Sequence, residues 1–221
     1  MLCIIPARGG SKRIPRKNIK PFLGKPIIEY PIETAHDAGY TPWVSTNDEG
    51  IARVAERAGA LVWDRPSELS ADGVEVEDVL SDMLGDGNDV GCMMYPTSVF
   101  VTPIELHLAE LYLKDYDLVY SIVKFGYPIQ RALHIVDGEV KLLTPDHRNS
   151  QDIPARYHDA AQFYMFDVMA FCDAWNRGKR LLELKAHGIE YATHEVQDID
   201  TPEDWFEAEM KYKMRGGIDV C

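Results

Sequence analysis

An α/β fold built on a single doubly wound, mostly parallel sheet is predicted for this chain by three observations. Short apolar runs of strand length alternate with stretches of helical spacing, at the interval that parallel strands joined by crossover helices require. The length, 221 residues with 46% apolar side chains, suits one domain, 1–221, with a substantial core. One polar segment, about 125–161, interrupts the pattern, after which core-like sequence resumes.

Leu2–Pro6 opens the chain as a short apolar strand, and Ile27–Ala38 has helical spacing closed by Gly39. Pro42–Thr46 is the next strand, followed by a helix over Glu49–Ala58 and a strand at Ala60–Trp63. A helix over Val76–Leu84 precedes an apolar, β-like Val90–Tyr95; Pro103–Lys114 is helical and Asp117–Val123 is a strand. Pro128, Gly138, Pro145 and Pro154 punctuate the interrupting segment, within which Leu133–Val136 and Val140–Leu143 flank Asp137-Gly138 as a hairpin. Such an insertion in an α/β domain is often a lid or an oligomer arm. Phe163–Phe166 returns to core pattern with a helix after it, Ile189–Ile199 is strand-like, and a last helix begins near Thr201.

Composition narrows the function. Asp and Glu outnumber Lys and Arg 36 to 23, and a net charge of −13 disfavours non-specific nucleic-acid binding. No apolar run approaches membrane-spanning length, and the N-terminal Met-Leu-Cys-Ile-Ile-Pro stretch is too short for a secretory signal. Cys3, Cys92, Cys172 and Cys221 lack paired zinc spacing and read as reduced thiols. The expectation is a cytoplasmic protein whose ligand is a small anion, with neither nucleic acid nor membrane as partner.

Against that acidic background, residues 7–18 (Ala-Arg-Gly-Gly-Ser-Lys-Arg-Ile-Pro-Arg-Lys-Asn) concentrate five cations, two glycines and a serine directly after the first strand. Glycines let backbone N–H groups approach and surround an anion, and Lys and Arg neutralise the charge that the N–H groups leave. The loop matches neither the Walker pattern nor Gly-x-Gly-x-x-Gly. Ligands of parallel sheets collect at strand carboxyl ends, so this loop, Ser45–Asn47, Arg65 and Tyr95–Ser98 are expected to share one crevice.

Gln197-Asp198-Ile199-Asp200-Thr201-Pro202-Glu203-Asp204 carries the second signal. In a strand, Asp198 and Asp200 would project to one side with Ile199 turned into the core. Two convergent carboxylates beside a polyphosphate suit Mg²⁺, whereas on their own they are equally a decorated strand end. Thr201, Pro202 and Asp204 read as a helix cap with a capping box.

The loop resembles the signature of the cytidylyltransferases that activate sialic acids and related nonulosonic acids, Ala-Arg-x-x-Ser-Lys-x-x-x-x-Lys-Asn, matched by Ala7, Arg8, Ser11, Lys12, Lys17 and Asn18. That family ends in the same Asp-x-Asp-Thr-x-x-Asp arrangement, and the blocks at 44–49, 64–70 and 95–98 are similar in order, so the resemblance covers essentially the whole chain. Tyr127–Ala132, Arg148 to Asp152 and Tyr157–Tyr164 resemble the branch acting on pseudaminic acid. Asn47 stands where the family usually has an acid, Val74 lies in a stretch lacking a common hydroxyl residue, and Ala161 replaces a common Gly.

The resemblance implies a Rossmann-like nucleotidyltransferase fold and transfer of CMP from CTP to a nonulosonic acid. It implies that Arg8, Lys12 and Lys17 hold the triphosphate within a loop of Ala7, Gly9, Gly10 and Ser11, and that Asn18 and Arg65 lie near the cytidine. Asp198 and Asp200 would hold Mg²⁺. Tyr95, Gln130, Arg148, Gln151, Gln162 and Tyr164 are the sugar-side candidates, and the insertion is expected to be the arm of a homodimer. N-acetylneuraminate or legionaminate as acceptor, a glycosyltransferase, and a nucleotide-binding module without turnover remain alternatives.

Overall fold

A computed structural model describes residues 1–84, 89–143 and 149–216. In chain order the elements are β1 (Leu2–Pro6), β2 (Pro21–Phe22), β3 (Lys25–Pro26), α1 (Glu29–Asp37), β4 (Thr41–Thr46), α2 (Glu49–Arg57), β5 (Leu61–Asp64), α3 (Val76–Met83), β6 (Val90–Met94) and α4 (Pro103–Tyr112). There follow β7 (Leu118–Lys124), β8 (Leu133–Val136), β9 (Glu139–Leu142), β10 (Tyr157–Asp167), α5 (Val168–Asn176), β11 (Ala186–Tyr191) and α6 (Pro202–Arg215).

Seven strands form one sheet in the order β11-β7-β10-β6-β1-β4-β5. Neighbours run parallel except β10, which lies antiparallel between β6 and β7. Strand alternation divides the core. Cys3 and Ile5 face α1, α2 and α4 with Val44, Val54 and Leu106, while Ile4 faces α3 and α5 with Leu80 and Phe171. Helices therefore cover both faces, as the predicted doubly wound sheet requires.

Turn chemistry locates the boundaries. Gly39 takes φ +75° and its N–H donates to the His36 carbonyl at the end of α1. Thr102 and Thr201 cap α4 and α6, each with an acid three residues on and Pro at the helix start. The Asp137-Gly138 hairpin is as expected, with both residues at positive φ.

A third apolar cluster joins the two ends of the chain. Ile14 from the basic loop, Phe22 from β2, Ile199 beside the carboxylates and Trp205 from α6 are all buried together. The Phe22 ring meets Tyr30, Trp205 and Tyr212 edge-on at 5.5, 5.5 and 5.7 Å. Each fully buried member contributes about 2 kcal/mol, so the cluster locks the N-terminal loop against the C-terminal aspartates.

The strand expected at Ile189–Ile199 is shorter. β11 ends at Tyr191, and residues 196–200 form no strand. The alternation survives, because Ile199 is fully buried between the accessible Asp198 and Asp200, but apolar packing rather than a ladder enforces it.

Candidate functional site: a cationic crevice facing two aspartates

The basic loop leaves β1 at Ala7, whose N–H donates to the Ser45 carbonyl at 2.8 Å. It is tied down by its own residues: the buried Asn18 donates through Nδ2 to the Arg8 carbonyl at 3.0 Å, and Gly9 N–H donates to Asn47 Oδ1 at 2.9 Å. Gly10 takes φ +80°, which its lack of a side chain permits. Arg16 is also left-handed, at φ 52°. Arg8, Gly10, Ser11, Lys12, Arg13, Lys17, Asn18 and Asp200 line a cavity of about 330 Å³. The two sequence signals thus meet in one place.

Lys17 makes the junction. Its Nζ donates to the Ile199 carbonyl at 2.7 Å and lies 3.3 Å from Asp200 Oδ1, to which Arg13 also pairs at 3.0 Å. Asp204 accepts from the backbone N–H groups of Asp200 and Thr201, at 3.1 and 2.8 Å, and thereby fixes the carboxylate segment to the α6 cap. Asp198 forms no salt bridge among the described residues, although the Lys17 charge acts on it. Surrounding protein and the Asp200 charge hold its carboxyl above the ordinary aspartate value, although the residue is open to solvent on one side.

Arg8 and Lys12 face the mouth of the crevice, where both pair with Asp72, at 3.0 and 2.5 Å. These bonds, Lys12 first, keep the Asp72 carboxyl below its usual value. Arg65 is buried and bonded to Ser45, through Nε to Oγ at 3.1 Å and through Nη2 to the carbonyl at 2.9 Å. Burial, with the Arg8 charge, lowers its guanidinium to about 10.

The sugar-side candidates are distributed differently from the expectation. Gln162 is buried and both ends of its amide are used: Oε1 accepts from Phe100 N–H, and Nε2 donates to the carbonyls of Ala160 and Gln197. It braces the site rather than facing it. Tyr164 is buried too, with its hydroxyl donating to Asp159 Oδ2 at 2.5 Å and its ring stacked on Tyr120 at 6.0 Å. Tyr95 packs edge-on to Tyr164 at 5.9 Å, and burial pushes its phenol up to about 12. Gln130 donates to the Pro154 carbonyl at 3.2 Å, its Oε1 being buried without a partner among the described residues. Gln151 is exposed in a short 3-10 turn, Ser150–Asp152. Arg148 lies outside the described residues.

Asn47 lies against the loop as the shared crevice requires, whereas Asp159 was not among the expected site residues. Asp159 sits at an irregularity where six residues of β10, Asp159 to Tyr164, span three of β7, Ile122 to Tyr120. Ser121 Oγ accepts the displaced N–H groups of Gln162 and Phe163, at 3.0 and 3.4 Å. Ala161 takes φ 53° there and its N–H donates to Asp159 Oδ1 at 2.8 Å. A left-handed alanine costs about 1 kcal/mol, which accounts physically for glycine being common at this place in the family pattern. The signal was present in the sequence as an acid two residues before that position, within a run of otherwise core character.

Asp159 and Asp198 both line a second cavity, of about 240 Å³, together with Lys124, His158, Gln197 and Lys211. A larger apolar cavity of about 490 Å³ lies elsewhere, among Met1, Trp43, Leu61, Trp63 and Met83, and contains none of these residues. No helix among the described residues is long and apolar enough to cross a membrane.

Comparison with known proteins bears on the family and the fold. The family model described as Cytidylyltransferase matches residues 2–168. A pseudaminic acid cytidylyltransferase of Campylobacter jejuni is 35% identical, with 96% of each chain covered. A CMP-N,N'-diacetyllegionaminic acid synthase of Legionella pneumophila is 29% identical over 93% of each. Among solved structures, CMP:2-keto-3-deoxy-manno-octonic acid synthetase complexed with CTP superposes with a TM-score of 0.72, covering 97% of this chain and 98% of that one at 15% identity. That likeness shows the fold, and the family match over three quarters of the sequence shows more: the chain belongs to the cytidylyltransferase family.

Proposed function

We propose that the protein transfers CMP from CTP to the anomeric hydroxyl of a nonulosonic acid, pseudaminic acid being the favoured acceptor, with release of pyrophosphate. The observation that carries this reading is the Lys17 bridge, which sets a triphosphate-sized cationic cavity beside an aspartate pair. The 35% identity to a pseudaminic acid enzyme along the whole length supports the choice of acceptor.

The anomeric oxygen forms a bond to the α-phosphorus while the bond to pyrophosphate breaks. Such transfers depend on positioning and charge stabilisation. Arg8, Lys12 and Lys17 neutralise the triphosphate and the leaving pyrophosphate, with Ser11 and the Gly10 N–H as further donors, while the Gly9 N–H is spent on Asn47. Arg65 serves the cytidine end, and Asn18 acts by closing the loop on Arg8. Asp198, whose carboxyl burial holds above the ordinary aspartate value, takes the hydroxyl proton.

The donor set suits Mg²⁺. Asp198 and Asp200 offer only hard oxygens, and no group of three His, Cys, Asp or Glu side chains exists among the described residues to form an all-protein cage. Mg²⁺ characteristically takes one or two carboxylates with substrate phosphates. Asp198 and Asp200 would hold the ion, which would supply positive charge to offset that of the triphosphate.

We further infer that residues 125–161 form a dimer arm. Cross-strand pairs Leu133–Leu142 and Ile135–Val140 place four apolar side chains on one face of the β8–β9 hairpin, exposed by 61, 44, 73 and 62%. An isolated two-stranded hairpin is marginal in water, so a second copy covering this face supports it.

Incubation with CTP, Mg²⁺ and pseudaminic acid, followed by mass spectrometry, tests the reading. A CMP-sugar formed in equal amount with pyrophosphate is expected. CTP binding without any product would instead support a nucleotide-binding module.

A further inference from the structure

The second cavity contains an acid that the reaction as described leaves without a task. Asp159 is half-buried, and no Lys or Arg pairs with it among the described residues. Its surroundings are nevertheless elaborate: the irregularity in β10, the left-handed Ala161, the Ala161 N–H on one carboxylate oxygen and the Tyr164 hydroxyl on the other. Strain and burial of this kind persist where the surrounding structure imposes them, and they cluster at ligand sites. Tyr164 is almost wholly enclosed, so of the two bonded partners it is Asp159 that reaches the cavity.

We propose that Asp159 is the residue through which this crevice selects its sugar acid, its carboxylate accepting a hydrogen bond from a hydroxyl or acylamino N–H of the sugar while Tyr164 holds it in place. This rests on the reading of the protein as a nonulosonate cytidylyltransferase. Each carboxylate oxygen has one recorded donor and a carboxylate offers about four acceptor positions, so room for a substrate donor remains. The charges around the cavity set the direction of binding. The sugar's own carboxylate is repelled by Asp159 and Asp198 and attracted by Lys124 and Lys211, which turns the donor-bearing part of the sugar toward Asp159. A site built to bond a donor discriminates strongly against an analogue without it, because the buried acceptor is then left unpaired.

The test is a steady-state comparison of wild type, Asp159→Asn, Tyr164→Phe and the double variant. CTP and sugar acid are varied separately, using pseudaminic, N-acetylneuraminic and legionaminic acids, with melting temperature recorded for each variant. Asp159→Asn keeps the shape of the side chain. It is expected to raise the KM for the preferred acid about tenfold or more, leave the KM for CTP within about twofold, and change the ranking among the acids. Tyr164→Phe is expected to have a smaller effect of the same kind. If Asp159 served only to anchor Tyr164, both single variants and the double variant would lose the same activity and melt lower together, which would overturn the proposal. An unmoved sugar KM in Asp159→Asn, with normal wild-type turnover, would overturn it alone. Absence of turnover by wild type with all three acids would overturn the functional reading and this proposal together.

Discussion

Replacing Lys17 with Met would test the bridge on which the site depends. Methionine keeps the apolar stem of a side chain only 21% exposed but removes the ammonium bonded to the Ile199 carbonyl and Asp200 Oδ1. Arg13 still pairs with Asp200, so the carboxylate keeps one cation, while the Ile199 carbonyl loses its donor. Loss of one charge-assisted bond and part of a second costs about 2 kcal/mol. For a domain of this size that corresponds to a fall in melting temperature of roughly 4–8 °C. The catalytic loss should be larger, about a hundredfold in kcat/KM, because the same ammonium is assigned to charge that develops in the transition state. Calorimetry and coupled pyrophosphate release measure the two effects. A melting temperature within about 1 °C of wild type together with unchanged kcat/KM would refute the reasoning, since no packing change compensates for both losses.

Four other outcomes are expected. Asp72→Asn should lower the KM for CTP at low salt, because Arg8 and Lys12 no longer have to leave a carboxylate, and the gain should shrink as salt screens the pair. Gln162→Leu should destabilise by about 2–4 kcal/mol in urea titration, since Phe100 N–H and two carbonyls lose their partner in the interior. Gly91→Ala should cost about 1–3 kcal/mol by the same titration, because the added Cβ would lie 2.6 Å from the Phe166 ring. Asp204 also predicts an acid limb to stability. Burial opposes its ionisation, but the bonds from Thr201 and Asp200 outweigh this and set its folded value below the ordinary one. The stability it contributes is therefore complete above the unfolded aspartate value and disappears as pH falls through the folded value. Asp204→Ala should flatten that limb in melts taken between pH 2 and 6.

The fold was readable from the sequence because its signals are local. Alternation in β1, helical spacing in α2, the Asp137-Gly138 turn and the Thr201-Pro202 cap each depend on a few neighbouring residues. The features that escaped depend on partners distant in the chain. Nothing in Tyr157–Asp167 states that this strand runs against its neighbours, and its three extra residues become visible only opposite Ser121. Likewise, residues 196–200 carry the alternation of a strand, yet Ile199 is held by Phe22 and Trp205 in a cluster that only tertiary structure assembles. The small β2–β3 turn was hidden by Leu23, an unusual residue at φ 45°, although the adjacent Gly24 was a cue. The cationic crevice was legible because one dense motif supplies most of its lining. The segment from Gln130 to Tyr164 was less so: Gln162 and Tyr164, expected on the sugar side, are buried and bonded to the Gln197 carbonyl and Asp159, contacts that no local pattern announces.

The most direct test of the central claim is the initial rate of pyrophosphate release from CTP and Mg²⁺ with pseudaminic, N-acetylneuraminic and legionaminic acids in parallel. The account predicts rapid release with pseudaminic acid and a clearly lower kcat/KM with the other two. Release with none of the three, from protein that still binds CTP, would contradict it.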